Sequence, residues 1–142
     1  MDKNRAAWLA RDLMDSYDFA HWGFGFDRAK TRHGQCDFTN QRITLSRFFV
    51  EMNEEPLVRE TILHEIAHAI AGPGAGHGPH WRMVARNLGV RPVARKASTM
   101  PQGRYKGVCP CGHPHNLHRK PKRLYSCNTC RGDIRWYDTK SN

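Results

Sequence analysis

The apolar residues in the first half of the chain are spaced as in one helix followed by three short strands. Residues 22–26 alternate aromatic side chains with small or polar ones, as strands do. Residues 36–38 and 42–46 predict two more strands, separated by a turn at Asn40-Gln41. Residues 4–18 have the spacing of a helix. The helical positions expected in the core are Trp8, Leu9, Leu13, Met14 and Tyr17.

Three further helices are predicted beyond these strands. An apolar run over residues 57–70 predicts a helix, and Gly72-Pro73 ends it, because glycine suits the position after a helix and proline cannot continue one. Ser46 is placed to cap a short helix before this run, and Asn53 is placed to cap the long helix itself. Pro79 suits the first turn of a last helix. Its expected apolar face consists of Met83, Val84 and Leu88.

The long predicted helix contains the motif H-E-x-x-H at His64, Glu65 and His68. Helical residues four apart lie on one face, so the two imidazoles can bind one zinc ion. Glu65 lies beside the open coordination position, where it can take a proton from water. The alternative is a buried helix with two hydrogen-bonded histidines. The metal site is favoured because unpaired polar groups are costly in so apolar a helix.

A glycine-rich segment after this helix offers a third ligand. Four glycines between positions 72 and 78 allow the backbone to reverse direction at close quarters. The reversal can bring His77 or His80 back to the metal. His77 is favoured because glycines flank it on both sides, whereas His80 falls in the first turn of the next helix. The alternative is a flexible surface loop.

The two histidine segments together resemble the SprT-like, or Spartan-type, family of zinc metalloproteases. The resemblance rests on His64-Glu65-Ile66-Ala67-His68 followed by Gly76-His77-Gly78-Pro79-His80-Trp81, and it covers most of the chain. It implies an α+β fold: a minimal zincin-like core of helix, small antiparallel sheet, H-E-x-x-H helix and further helix, then a small zinc ribbon. It further implies that His64, His68 and His77 bind a catalytic zinc, that Glu65 is the base, and that the substrates are proteins bound or crosslinked to DNA.

Four of the five cysteines lie in the last third of the chain. The odd total and the clustering of four indicate metal binding rather than disulfides. The favoured ligand set of a structural zinc centre consists of two half-sites, Cys109 with Cys111 and Cys127 with Cys130. In the alternative, His113 replaces Cys111. Either set would supply folding energy to a module too small to gain it from its own core.

The net charge of +10 is concentrated in the last third of the chain. Residues 1–90 carry 11 Lys and Arg against 11 Asp and Glu, whereas residues 91–142 carry 12 against 2, so 12 − 2 accounts for the whole excess. This asymmetry predicts a nucleic-acid partner, with DNA favoured, rather than a charge that serves only solubility. The expected phosphate contacts are Arg119, Lys120, Lys122 and Arg123. Nearby aromatic residues, which could stack on bases or pack the ribbon, are Tyr125, Trp136 and Tyr137.

Three segments follow from these patterns: a SprT-like zincin domain over residues 1–90, a basic linker over 91–107 and a zinc ribbon over 108–142. The N-terminal residues lack the apolar stretch of a signal peptide, and no apolar window is long enough to cross a membrane. We therefore expect a cytoplasmic protein that is not secreted, has no membrane partner, and associates with the nucleoid if it binds DNA.

Three functions are compatible with these residues. The favoured one is a zinc-dependent endopeptidase that is recruited to DNA and acts on protein substrates. The alternative is a non-enzymatic, zinc-stabilised nucleic-acid-binding factor with a protease-like core. A third is a hydrolase of another amide or ester, because zinc and a carboxylate base do not by themselves specify peptides.

Overall fold

The computed structural model describes residues 1–94 and 96–140, and the chain divides into two compact units, Met1–Met100 and Pro101–Asn142. The second unit begins inside the segment 91–107 that the sequence predicted as a linker, and residues up to Met100 belong to the first unit. Elements of the first unit are α1 (Lys3–Ser16), β1 (Gly23–Asp27), β2 (Gly34–Asp37), β3 (Arg42–Ser46), α2 (Arg47–Met52), α3 (Glu55–Ala71) and α4 (Pro79–Asn87). Elements of the second unit are β4 (Tyr105–Val108), β5 (His115–Leu117) and β6 (Arg135–Asp138).

Helix α1 begins where the side chain of Asp2 accepts a hydrogen bond from the backbone N–H of Arg5 at 2.9 Å. Its core face contains Leu9, Leu13 and Met14, as predicted. The prediction for Trp8 is wrong: this side chain is 57% exposed, and the Arg5 guanidinium lies 4.9 Å from its ring centre. Trp8 stands about 100° around the helix from Leu9, outside the buried stripe.

The sheet of the first unit has the strand order β1-β3-β2. Strand β2 pairs with β3 in antiparallel register, with Cys36 opposite Ile43. Strand β1 pairs with β3 in parallel, with Phe24 opposite Ile43, so the prediction of an antiparallel sheet is wrong for this pair. The residues that follow β1 pass β3 and start β2 on its far side. Alternation of side chains shows which face of a strand is buried, but it does not show strand direction.

Polar side chains hold both ends of α2. The Ser46 hydroxyl caps α2, as predicted, by accepting from the N–H of Phe49. The prediction that Asn53 caps α3 is wrong: Glu54 occupies that position, without a side-chain bond. Asn53 instead ends α2, and its amide donates to the Thr99 carbonyl at 2.8 Å and accepts from the Thr99 N–H at 2.9 Å. It therefore fastens the end of the first unit to the core.

Helix α3 is the centre of the first unit and packs against α1, α4 and β2. Val58, Ile62 and Ile66 are fully buried, and Gly72, with φ of 92°, ends the helix. Helix α4 turns Trp81, Val84 and Ala85 inward. The expectation for Met83 is wrong, because that side chain is 51% exposed. The indole of Trp81 is the largest apolar group on α4, and its burial sets which face of the helix is internal.

The second unit is a small antiparallel sheet with the strand order β5-β4-β6. Together with the helices and the sheet of the first unit, it gives the α+β architecture that was predicted. Within residues 1–94 and 96–140, no helix has the length and hydropathy needed to cross a membrane.

Candidate metal centres

Three imidazoles converge at one end of a cleft in the first unit. His64 and His68 stand one turn apart on α3, and the Nε2 atom of His77 lies 3.2 Å from that of His64 and 3.1 Å from that of His68. One ligand atom from each of the three lies within 4.8 Å of the others, so the group could hold a metal ion. His80, the other candidate from the sequence, is exposed on α4 and is outside this group.

The loop between α3 and α4 brings His77 back over α3. Gly76, immediately before His77, has φ of 51°, which residues with a side chain rarely adopt. A backbone bond from Gly78 N–H to the Ala75 carbonyl, 3.0 Å long, closes the turn around the histidine. The flanking glycines that favoured His77 in the sequence are therefore part of the turn that positions it.

The indole of Trp81 packs against the rings of all three histidines. Its ring centre lies 4.6 Å from that of His64, 5.1 Å from His68 and 4.7 Å from His77, and the indole is fully buried. The indole N–H also points to the His64 carbonyl at 3.4 Å. The sequence placed Trp81 on the last helix and in the segment that resembles the SprT-like family, but indicated no role for it at the metal centre. Its sequence position, two residues after the start of α4 at Pro79 and four after His77, was the signal that could have placed it beside the metal centre.

Burial lowers the pKa of all three histidines. It lowers the pKa of His64 to about 3, with a further contribution from the nearby Lys96 charge. It lowers the pKa of His68 to about 4, and that of His77 below its ordinary value. Neutral imidazoles keep a lone pair for a cation, and three nitrogen donors in one small volume suit zinc. The residues present therefore fit such an ion.

Glu65 stands next to this group and lines the same cleft. Its carboxylate oxygen Oε1 lies 3.9 Å from the Nε2 atom of His64, and only 6% of the residue is exposed. Burial raises the pKa of Glu65 to about 8, although the charges of Lys96 and Arg32 oppose the rise. A carboxyl group with a pKa near neutrality can both accept and return a proton.

The cleft has a volume of about 720 Å³. One wall is strand β2, which contributes Gly34 and Cys36. In the described structure β2 pairs only with β3, so its other edge is unpaired. Cys36 is half-buried, and burial, with the Glu65 and Asp37 charges, raises the pKa of its thiol to about 12. Among the described residues Cys36 belongs to neither metal group.

The segment after α4 supplies a residue that sequence reasoning missed. Lys96 lines the cleft, and its side chain is only 4% exposed. Its Nζ atom lies 3.3 Å from Nδ1 of His64 and 3.8 Å from Oε1 of Glu60. Arg91 donates to both oxygens of Glu60 at distances between 2.7 and 3.2 Å. A lysine in a basic, aperiodic stretch gave no indication that it was internal.

The second unit brings four cysteines together. One sulfur from each of Cys109, Cys111, Cys127 and Cys130 lies within 4.8 Å of the others, so this group could also hold a metal ion. The His113 ring, the alternative ligand, is outside the group. The backbone carbonyl of His113 accepts a hydrogen bond from the Cys109 thiol. Backbone N–H groups of Cys130 and Thr129 lower the pKa of Cys127 to about 5, although burial opposes them. That pKa favours the thiolate form, which is the form that binds metals.

The predicted nucleic-acid contacts lie between the two cysteine half-sites. Arg119, Lys120, Lys122 and Arg123 are all exposed. The Arg123 guanidinium lies 4.9 Å from the Tyr125 ring centre, and Tyr125 packs edge-on against Trp136 at 5.7 Å. Tyr125 and Trp136 therefore pack the ribbon, whereas Tyr137 is 54% exposed.

Comparison with known proteins identifies relatives over most of the chain. The family model described as the SprT-like family matches residues 5–101. Protein SprT of Pseudomonas putida (strain GB-1) is 32% identical over 126 residues, which cover 72% of this chain and 74% of that protein. Protein SprT of Pseudomonas entomophila (strain L48) is 30% identical over the same shares of the two chains. No solved structure matches the chain significantly.

Proposed function

This chain belongs to the SprT-like family, and from that premise we propose that it is a zinc-dependent endopeptidase, recruited to nucleic acid, whose substrates are DNA-bound or DNA-crosslinked proteins. The observation that carries the proposal is the convergence of His64, His68 and His77 beside Glu65 in an open cleft. The location that follows is the cytoplasm, at the nucleoid.

The two metal groups have different chemistry and therefore different roles. Three histidines leave a position open, as catalytic zinc sites do, whereas four cysteines form a closed structural site. When bound at the histidines, zinc supplies a Lewis acid that polarises a carbonyl and makes water more acidic. At the cysteines it stabilises the second unit, in which the few buried side chains include Cys109 and Cys127.

Glu65 is the proton carrier of the proposed reaction. Its carboxylate takes a proton from the attacking water and passes it to the leaving amine, so one group acts first as base and then as acid. Burial raises its pKa to about 8 in the metal-free chain, and a cation among the histidines lowers this value by attraction. The carboxylate form needed for proton abstraction is thus favoured when the centre is loaded.

The wall of the cleft favours a peptide over a small amide or ester. Strand β2 lines the same cleft as the histidines and in the described structure pairs with a strand on one edge only, and an extended peptide can pair with an unpaired edge. This pairing would hold a segment of main chain rather than a particular side chain. It supports cleavage of unstructured protein segments with little sequence preference.

The charge of the second unit supports recruitment to DNA. Its exposed basic residues Arg119, Lys120, Lys122 and Arg123 lie in the chain between the two cysteine half-sites. Phosphate contacts of this kind give affinity that does not depend on base sequence and decreases with salt. A substrate protein held on the same DNA is then brought to the protease at a high effective concentration.

The decisive variant is Glu65→Gln, which keeps the size of the side chain and removes the carboxylate. It should retain the zinc content of the parent and lower the cleavage rate of an unstructured protein at least about 100-fold. Glu55→Gln is the matched control, because Glu55 lies on the same helix, 45% exposed and paired with Arg5, and should leave the rate unchanged. Cleavage by Glu65→Gln at the parental rate would contradict the assignment of the base.

Metal content per chain tests the two-site plan. His77→Ala should lose one zinc and Cys127→Ser should lose the other. Adding single-stranded DNA should accelerate cleavage of a DNA-binding substrate by the parent. A chain that binds DNA and both zincs yet cleaves nothing would instead be the non-enzymatic binding factor.

A further inference from the structure

The ring nitrogen of His64 that does not face the other histidines meets a cation. Its Nε2 atom points to the other two histidines, and its Nδ1 atom lies 3.3 Å from the ammonium of Lys96. Lys96 is held there by its surroundings: its side chain is 4% exposed, and the segment that carries it is fastened by Arg91 to Glu60 and by Thr99 to Asn53. The contact is therefore a built feature of the first unit rather than a chance approach.

The usual partner of a metal-binding histidine is an acceptor. Such a histidine donates its remote N–H to a carboxylate or carbonyl, which orients the ring and makes it a stronger ligand. A lysine ammonium has three donors and no acceptor. Here the carboxylate that could fill the usual role, Glu60, lies on the far side of Lys96, 3.8 Å from Nζ, with both oxygens bound by Arg91. The order of groups is inverted: a donor stands between ligand and carboxylate.

We propose that Lys96 is a positioning residue that weakens His64 as a ligand, so that the histidine centre holds its cation less tightly and polarises bound groups more strongly than it would with an acceptor behind His64. With Nε2 bound to a cation, the neutral ring of His64 carries its proton on Nδ1, where the ammonium of Lys96 offers no acceptor, and the positive charge of Lys96 repels the cation. Both effects lower affinity, and both increase the acidity that the cation confers on water. The inference rests on the proposed function, because it takes the three histidines as a zinc site.

The test is the affinity of the histidine centre for a divalent cation in the full chain. Lys96→Gln places an amide oxygen where the ammonium was, and Lys96→Met removes the charge without offering an acceptor. With the cysteine centre already filled with zinc, Co²⁺ is titrated into the histidine centre and followed by its absorbance, with His77→Ala as the blank. We expect about 10-fold tighter binding for Lys96→Gln, and for Lys96→Met a value between that variant and the parent.

Lys3→Met is the matched control, since it also removes one positive charge, from a side chain 44% exposed at the start of α1. It should bind Co²⁺ as the parent does. If the parent binds as tightly as both Lys96 variants, or more tightly, the inference is wrong. If the parent binds no Co²⁺ at the histidines at all, the proposed function fails instead, so the two failures are distinguishable.

A second measurement covers the case in which a variant does not fold. In the unmodified, zinc-loaded chain, nitrogen NMR of the histidine rings shows whether the N–H at Nδ1 of His64 has a hydrogen-bond acceptor. An N–H without an acceptor supports the inference. An N–H donated to a carboxylate, to a carbonyl or to an uncharged Lys96 amine overturns it.

Discussion

Replacing Trp81 with alanine should destabilise the first unit and the metal centre together. A buried tryptophan removes about 200 Å² from water, and at about 25 cal/mol per Å² this corresponds to about 5 kcal/mol as an upper value. Trp81 is fully buried, so Trp81→Ala should cost about 3–5 kcal/mol. That loss is a large share of the roughly 5–15 kcal/mol that stabilise a typical domain. Because the indole also supports the three imidazoles, affinity for zinc should fall as well.

Urea unfolding followed by far-ultraviolet circular dichroism measures this cost. The signal reports the first unit, because the described helices α1–α4 all lie there. Chelator should be present, so that the loss of packing is separated from the loss of metal. Trp8→Ala is the matched control: the same change at a side chain 57% exposed should cost about 1 kcal/mol or less, including its contact with Arg5. Equal costs at the two positions would refute the reasoning.

Three further predictions concern pH and the second unit. In metal-free protein, His64 and His68 have pKa values of about 3 and 4, so between pH 6.5 and 4 the unfolded chain binds protons that the folded chain does not. Their contribution to the unfolding free energy should therefore fall as pH drops from 7 to 4. Urea midpoints measured in chelator at several pH values check this, and a flat profile would contradict it. Burial acts to raise the pKa of Glu60, but the hydrogen bonds from Arg91 and the charge of Lys96 lower it overall. The carboxylate therefore contributes to the unfolding free energy above about pH 4.3, and this contribution is lost as pH falls through the lower pKa of the folded state. Glu60→Gln should be less stable than the parent at pH 7, and the difference should shrink in acid. Cys127→Ser should expose β4 to β6 to proteases while the helical signal persists, and rapid digestion of both units alike would argue against separate stabilisation.

Much of the first unit was predictable because its elements follow local rules. The extents of β1 and β3, the Ser46 cap and the end of α3 at Gly72 all follow from side-chain periodicity, capping and glycine conformation. The errors share a different cause. The direction of β1 relative to β3 depends on where the chain crosses the sheet. The exposure of Trp8 and Met83 depends on which side of their own helices packs against a neighbouring element. Neither is encoded in a short window of sequence.

The candidate site was predictable to the extent that its chemistry is local. The spacing of His64 and His68 and the glycines around His77 pointed to the residues that the structure brings together. Trp81 and Lys96 were not identified, because their roles depend on long-range packing: an indole placed under three rings, and a lysine from a basic stretch buried behind a ligand. Buried lysines are rare, so a basic segment favours a surface interpretation.

The central position of β3 has a consequence for how the chain folds. Strands β2 and β3 are neighbours in sequence and form a hairpin across residues 38–41, whereas β1 can join only after β3 offers its other edge. Local hairpins close with little loss of chain entropy. Parallel pairs require a crossover, and the chain entropy lost in closing it is offset only by contacts that form later. We therefore expect substitutions in the hairpin to slow refolding, and substitutions in β1 to act chiefly by accelerating unfolding.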